Sequence, residues 1–156
     1  AVPGSLLWLA VKPKALQRLK AQAQKRGINP HRLVAAPYQK PVQRFIAAMA
    51  CADLFLDTAG FNAGAIGVLA LNAGLPLITI AGNRFCARMG ASLCNAVHQP
   101  QLITTTPEAY QQKAIELATT PGAIAQLRTQ LHSDPQGLPL FQQRLWVSSL
   151  VAALNG

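Results

Sequence analysis

Acidic side chains are scarce in this sequence: five Asp and Glu stand against 14 Lys and Arg in 156 residues, a formal charge of +9. No His has a pair of carboxylates near it in sequence, so His31, His98 and His132 read as surface or capping residues rather than catalysts. Cysteine is equally sparse. Cys51, Cys86 and Cys94 have neither metal-ligand spacing nor an even count, and they read as small core hydrophobes in a reducing compartment. Aromatic residues make up 6% of the chain, too few for a stacking platform, which argues against nucleic acid as the main partner despite the positive charge. No apolar run approaches the ~18 residues of a membrane span, and no signal-peptide pattern is present, so neither insertion nor export is expected. The strict G-x-G-x-x-G dinucleotide fingerprint is also missing.

What is present is apolar and periodic. At 51% hydrophobic residues the chain is globular, and its length suits a single domain over residues 1–156. It enters a strand within a few residues of Ala1, which reads as a piece of a longer protein. The organising stretch is Ala52 to Leu93. Two apolar runs, Leu54–Leu56 and Leu75–Ile80, are separated by a segment rich in Ala, Leu and Gly that is long enough for a crossover helix. This is the layout of a βαβ unit with strands buried on both faces. The first run ends in Asp57-Thr58, and Asn62 is the expected N-cap of a helix that opens with Ala63, Gly64 and Ala65. Small residues there leave backbone N–H groups bare, at the strand-end crevice where open parallel sheets bind ligands and where a helix dipole favours phosphate. Close packing against the sheet would explain the same small residues.

Around this stretch strand and helix alternate. A buried strand is predicted over Ser5–Val11, a helix over Pro13–Arg26 stopped by Gly27, a strand over Arg32–Ala36 and a helix over Pro41–Ala50. After the central unit come a helix over Asn83–Asn95, an edge strand at Leu102-Ile103, and a helix over Pro107–Thr119 capped by Thr106 with Glu108 in its first turn. Helices over Gly122–His132 and Leu138–Leu154 close the chain, divided by the turn at residues 133–137. The alternation predicts an α/β fold, a Rossmann-like doubly wound parallel sheet with extra C-terminal helices. The last helix carries Trp146, Leu150 and Leu154, which pack either on this sheet or on something outside the chain. Lys12, Lys14, Arg18, Lys20, Lys25 and Arg26 cluster on the first helix.

Several phrases taken together, VPGSLLWL at 2–9, INPHRLVAAP at 28–37, ADLFLDT at 52–58, Asn62, ALNAGLPLIT at 70–79, the AG-x-x-x-x-AR-x-GASL segment ending at Leu93, and LFQQRLW at 140–146, resemble the O-linked N-acetylglucosamine transferase, SPINDLY-like, family. The resemblance implies the C-terminal half of a two-domain GT-B catalytic region that is cytoplasmic and metal-independent. The N-terminal half and tetratricopeptide repeats would lie elsewhere in the full protein. It implies UDP-N-acetylglucosamine as donor substrate, no separate cofactor, and Ser or Thr of a protein acceptor. Carried over by position, the uracil loop is Pro37-Tyr38-Gln39-Lys40, with Lys40 a candidate for the family's catalytic lysine and Phe45 where the family has a His. The diphosphate site is Asn62, Ala63, Gly64, Ala65 and Ile66, where the family typically reads Asn-small-His-Thr-Thr, and Leu69 stands where it has a ribose-binding Asp. Arg84 and Arg88, at the start of the helix after the fourth strand, are the expected compensating cations, with Lys40 next. The lost His, Thr and Asp leave a second expectation beside the first: a degenerate homologue that serves as an interaction or regulatory module.

Overall fold

The computed structural model describes residues 1–36 and 39–155. The chain divides into two compact units, Ala1–Phe45 and Ile46–Gly156.

In the first unit β1 (Leu7–Leu9) and β2 (Leu33–Ala35) pair in parallel, with Leu7 opposite Leu33 and Leu9 opposite Ala35. Parallel neighbours need a crossover, and α1 (Pro13–Lys25) supplies it. Pro13 occupies the first turn, where its missing N–H costs nothing, and Gly27 takes the left-handed conformation, φ +71°, that stops the helix. The Arg32 guanidinium ties down the chain start by donating to the carbonyls of Val2 and Ser5, each at 2.8 Å, and to the Ser5 hydroxyl. The strand is shorter and wetter than its composition predicts. Leu6 is 67% exposed, and Leu7 and Trp8 are exposed as well, because one helix can cover only one face of a two-stranded ladder within its own unit.

α2 (Val42–Met49) leads into the second unit, where β3 (Phe55–Leu56), β4 (Leu77–Ile80) and β5 (Ile103–Thr104) form a parallel sheet in that order. The expected edge strand is therefore present, displaced by one residue. Leu77, Ile78 and Thr79 of the central strand are fully buried, which is why that run is continuously apolar instead of alternating. Among the described residues all strand pairs are parallel and helices connect them, as a Rossmann-like α/β fold requires, but the strands form two sheets, one of two strands in the first unit and one of three in the second.

The connections of the second unit are α3 (Ala65–Asn72), α4 (Met89–Ala96) and α5 (Pro107–Thr119), followed by α6 (Ala123–Ser133) and α7 (Gln143–Asn155). α5 has the predicted bounds: Thr106 accepts a hydrogen bond from the Ala109 N–H at 3.1 Å, and Glu108 lies in the positive first turn. α3 stops at Gly74, φ +71°, and His132, exposed as its sequence context predicts, lays its ring over the space a side chain there would need. Leu71, Leu77, Leu93, Cys94, Val97, Leu102, Leu117, Leu127 and Leu131 form one core, so α6 belongs to the domain body. α7 starts five residues later than the apolar pattern predicts, because Pro135–Gly137 and Pro139–Phe141 form tight 3₁₀ turns in which Asp134 accepts from the Gly137 N–H. No residue of α7 is buried, and Trp146 is 64% exposed, so of the two predicted packings its own sheet is excluded.

Removing Leu77's side chain empties the centre of this core, and Leu77→Ala is expected to cost about 2–5 kcal/mol. Leu150→Ala on the exposed helix should stay within about 0.5 kcal/mol of wild type. Urea unfolding of both variants checks the contrast, and equal losses would contradict the burial pattern.

Candidate functional site

The site is built from Asp57, the residue that follows β3. Its carboxylate is 4% exposed and fully engaged. Oδ1 accepts from the Thr58 N–H at 2.9 Å and the Ala63 N–H at 2.7 Å, and Oδ2 accepts from the Thr79 hydroxyl at 2.7 Å. The Asp57 carbonyl accepts from the Tyr110 hydroxyl at 3.0 Å. One residue thereby joins β3, β4, α5 and the loop that leads into α3. Inside that loop the Thr58 hydroxyl donates to the Phe61 carbonyl at 2.6 Å.

Asn62 continues the network. It is buried at 2% exposure and is not the N-cap of α3; Gly64 holds that position, with no side-chain cap. The Asn62 amide is committed elsewhere: Nδ2 donates to the Thr58 carbonyl at 2.9 Å and Oδ1 accepts from the Gly90 N–H at 3.1 Å. Its backbone N–H reaches the Cys86 carbonyl at 2.7 Å, and the Cys86 thiol donates to the Gly60 carbonyl. The loops after β3 and β4 are thus locked to each other. Gly90 is required at their junction, since a Cβ there would overlap Asp57 Oδ2 and Thr79 Oγ1.

The start of α3 is left open. Ala65 and Ile66 are exposed and Ala63 and Gly64 half-buried, so the uncapped first turn presents backbone N–H groups at the C-terminal end of the sheet. Beyond β4 the predicted helix at Asn83 is instead a turn followed by a short 3₁₀ segment, Phe85–Ala87, and α4 begins only at Met89. This geometry puts Arg84 and Arg88 on the loop, both exposed, with Arg88 Nη1 3.4 Å from the Gly82 carbonyl. Leu69 lies half-buried on α3. Of the uracil-loop residues, Gln39 is half-buried and Lys40 exposed in the first unit, while Pro37 and Tyr38 lie outside the described residues.

Two exposed aromatics at this end carried no signal in sequence. Phe61, 74% exposed, is in the loop before α3, and Phe85, 82% exposed, is in the loop after β4. Each sits in an unperiodic stretch, where solvent exposure has no sequence signature.

Of the cysteines only Cys94 is core. Cys51 is exposed and Cys86 half-buried, because the first ends α2 and the second sits on a surface turn rather than within a helix. The Cys94 thiol lies 3.2 Å from the Leu77 carbonyl; burial, and then the negative charge of Asp57, push its pKa up to about 12. The same two causes raise Tyr110. Among the described residues no three His, Cys, Asp or Glu converge where a metal ion could sit. A cleft of about 660 Å³ lies at the opposite ends of the strands between Ala50–Asp53 and the α5–α6 turn. There Arg128 already donates to the carbonyls of Ala50 and Ala52, at 2.8 and 2.6 Å, so its charge is spent on holding that corner together.

A sequence model of glycosyl transferase family 41 matches residues 1–150. The chain belongs to this family. It is 30% identical over 154 residues to the probable UDP-N-acetylglucosamine–peptide N-acetylglucosaminyltransferase SEC of Arabidopsis thaliana, covering 96% of this chain and 15% of that one. The corresponding Caenorhabditis elegans enzyme is 28% identical over 90% of this chain and 12% of its own. The structure of a mutant Thermobaculum terrenum O-GlcNAc transferase superposes with a TM-score of 0.83 at 25% identity, covering 92% of this chain and 27% of that one. The chain therefore spans about one-seventh of these curated relatives and carries a family 41 glycosyltransferase α/β fold of the GT-B kind.

Gly90→Ala is expected to cost about 1–3 kcal/mol through overpacking against Asp57 and Thr79, read as a lower urea midpoint; an unchanged midpoint would contradict the close approach. A second expectation concerns alkali. The folded chain holds the Cys94 proton to about pH 12, while an unfolded thiol loses it near 9.0. Stability is then full below about pH 9 and falls as the pH rises toward 12. Urea midpoints measured from pH 8 to 10.5 should decline, and the decline should be shallower in Cys94→Ala and in Tyr110→Phe.

Proposed function

We propose that this chain is the donor-binding part of a protein glycosyltransferase, and that the open first turn of α3 receives the diphosphate of UDP-N-acetylglucosamine. The acceptor is then Ser or Thr of a protein. The observation that carries this reading is the uncapped, exposed helix start at the C-terminal end of β3, held rigid from behind by Asp57 and Asn62. Such a helix end concentrates donors and partial positive charge where a leaving diphosphate accumulates negative charge, and it acts without a metal. Arg88 and Arg84, exposed on the neighbouring loop, supply the mobile charge. The names of the Arabidopsis and Caenorhabditis relatives support the donor and the peptide acceptor.

A second reading rests on a specific observation in the same turn. Ala63, Gly64, Ala65 and Ile66 carry no hydroxyl, imidazole or charge, and Leu69 offers no carboxylate to a ribose. Each missing side-chain hydrogen bond forfeits about 1 kcal/mol, or about 1.5–3 kcal/mol where a charge is involved, so affinity falls by decades unless the arginines restore it. On this reading the chain keeps the fold and serves as an interaction module.

Calorimetric titration with UDP, UDP-N-acetylglucosamine and GDP separates the two. The donor reading expects binding selective for the uridine compounds, weakened about tenfold by Arg88→Ala, equivalent to about 1.4 kcal/mol. It also expects Ala65→Asp to abolish binding while leaving or raising stability, because an acidic residue suits the helix start but repels phosphate. Binding unchanged in Ala65→Asp would remove the diphosphate from this turn. No binding to several millimolar would select the interaction module.

A further inference from the structure

The whole net charge of the chain sits in its first unit. Residues 1–45 hold nine Lys and Arg and no Asp or Glu, whereas residues 46–156 hold five of each. The only ion pair among the described residues, Lys113 with Glu116, is in the second unit. A solvated face normally mixes both signs, and this one does not.

On α1 the charge is also ordered. At 3.6 residues per turn Lys14, Arg18 and Lys25 fall within an arc of about 40° and extend over about 16 Å of helix. All three are exposed. The opposite side carries the half-buried Leu16, Leu19 at 37% exposure and the buried Ala23, and α1 packs on β2. Helix stability does not explain this arrangement. Lys12 at the N-cap makes no side-chain cap, Lys14 lies in the first turn, and no acidic residue is present there, so these two cations sit at the positive end of the dipole, where they oppose helix formation. Lys25, in the last turn, suits the dipole, but Lys12 and Lys14 do not, and an anion alongside offsets their unfavourable placement.

We infer that the exposed face of α1 is a docking surface for an acidic polypeptide segment, with Lys14, Arg18 and Lys25 as its cationic stripe. An extended chain presents alternate side chains on one side at about 6.6–6.8 Å, close to the ~6 Å rise between Lys14 and Arg18, so successive carboxylates of an Asp- or Glu-rich strand meet successive cations. The chemistry disfavours the other polyanions. No aromatic lies on α1 to stack a base. The stripe has no apolar flank to enter a bilayer, because the apolar side of α1 faces its own sheet. This inference is independent of the proposed donor site, which is argued from α3 and the loops beside it.

The test is fluorescence anisotropy with a labelled 16-residue peptide alternating Glu and Ser, its Gln-for-Glu counterpart, a 16-base-pair DNA duplex, and phosphatidylserine–phosphatidylcholine vesicles. The chain should bind the Glu peptide and not the Gln peptide, and added salt should weaken the complex. The triple variant Lys14→Gln, Arg18→Gln, Lys25→Gln should weaken it by about tenfold or more, consistent with three charge contacts, while Arg144→Gln leaves it unchanged. Circular dichroism should show the triple variant folded, since all three side chains are exposed. Failure to bind the Glu peptide, equal loss in Arg144→Gln, or tighter binding of the duplex or the vesicles would each overturn the assignment.

Discussion

A single buried carboxylate sets the geometry at the functional end of this domain. Taking Asp57 out of water costs several kcal/mol, and the cost is offset by two backbone N–H donors and one hydroxyl arranged around it. Those donors come from different elements, so the carboxylate fixes where the loop into α3 begins relative to β4 and how closely α4 approaches through Gly90. The same charge is felt by Cys94 and Tyr110, both of which are held protonated. The open turn of α3 is therefore positioned by a network behind it that makes no use of the turn's own side chains.

That division explains how the turn keeps its shape with no polar side chain of its own at positions 63–66. Asn62 and Asp57 act on backbone, and Ala63 takes part only through its N–H. A side chain at position 65 or 66 points away from this network into solvent. Substitution there changes the chemistry the turn presents while the frame stays intact, so membership of family 41 and the presence of the frame do not by themselves fix what the turn holds.

Signals that are local and complete were legible in the sequence. Thr106 with Pro107 and Glu108 fixes the start of α5 because the cap, the proline and the dipole all act within one turn. The run at Leu77–Ile80 gives a central strand because burial on both faces leaves no alternation. Asn62 shows where such reading fails. Its residue type and place before small residues satisfy an N-cap pattern, but its amide bonds to Gly90, 28 residues away, and a partner that distant has no local signature. The exposure of Leu6, Leu7 and Trp8 was hidden for a related reason: an apolar run records that a strand is to be covered, but not whether its own unit supplies the cover.

The apolar and the charged surfaces of the chain are also segregated, and each points to a different kind of contact. α7 presents Trp146, Val147, Leu150, Val151 and Leu154 with Arg144 as its one charged residue, a surface that gains free energy from desolvation and is insensitive to salt. α1 presents cations without acidic neighbours, a surface whose attraction is long-ranged, salt-dependent and effective in steering an encounter. A family 41 chain with both has one surface suited to permanent burial and another suited to reversible capture.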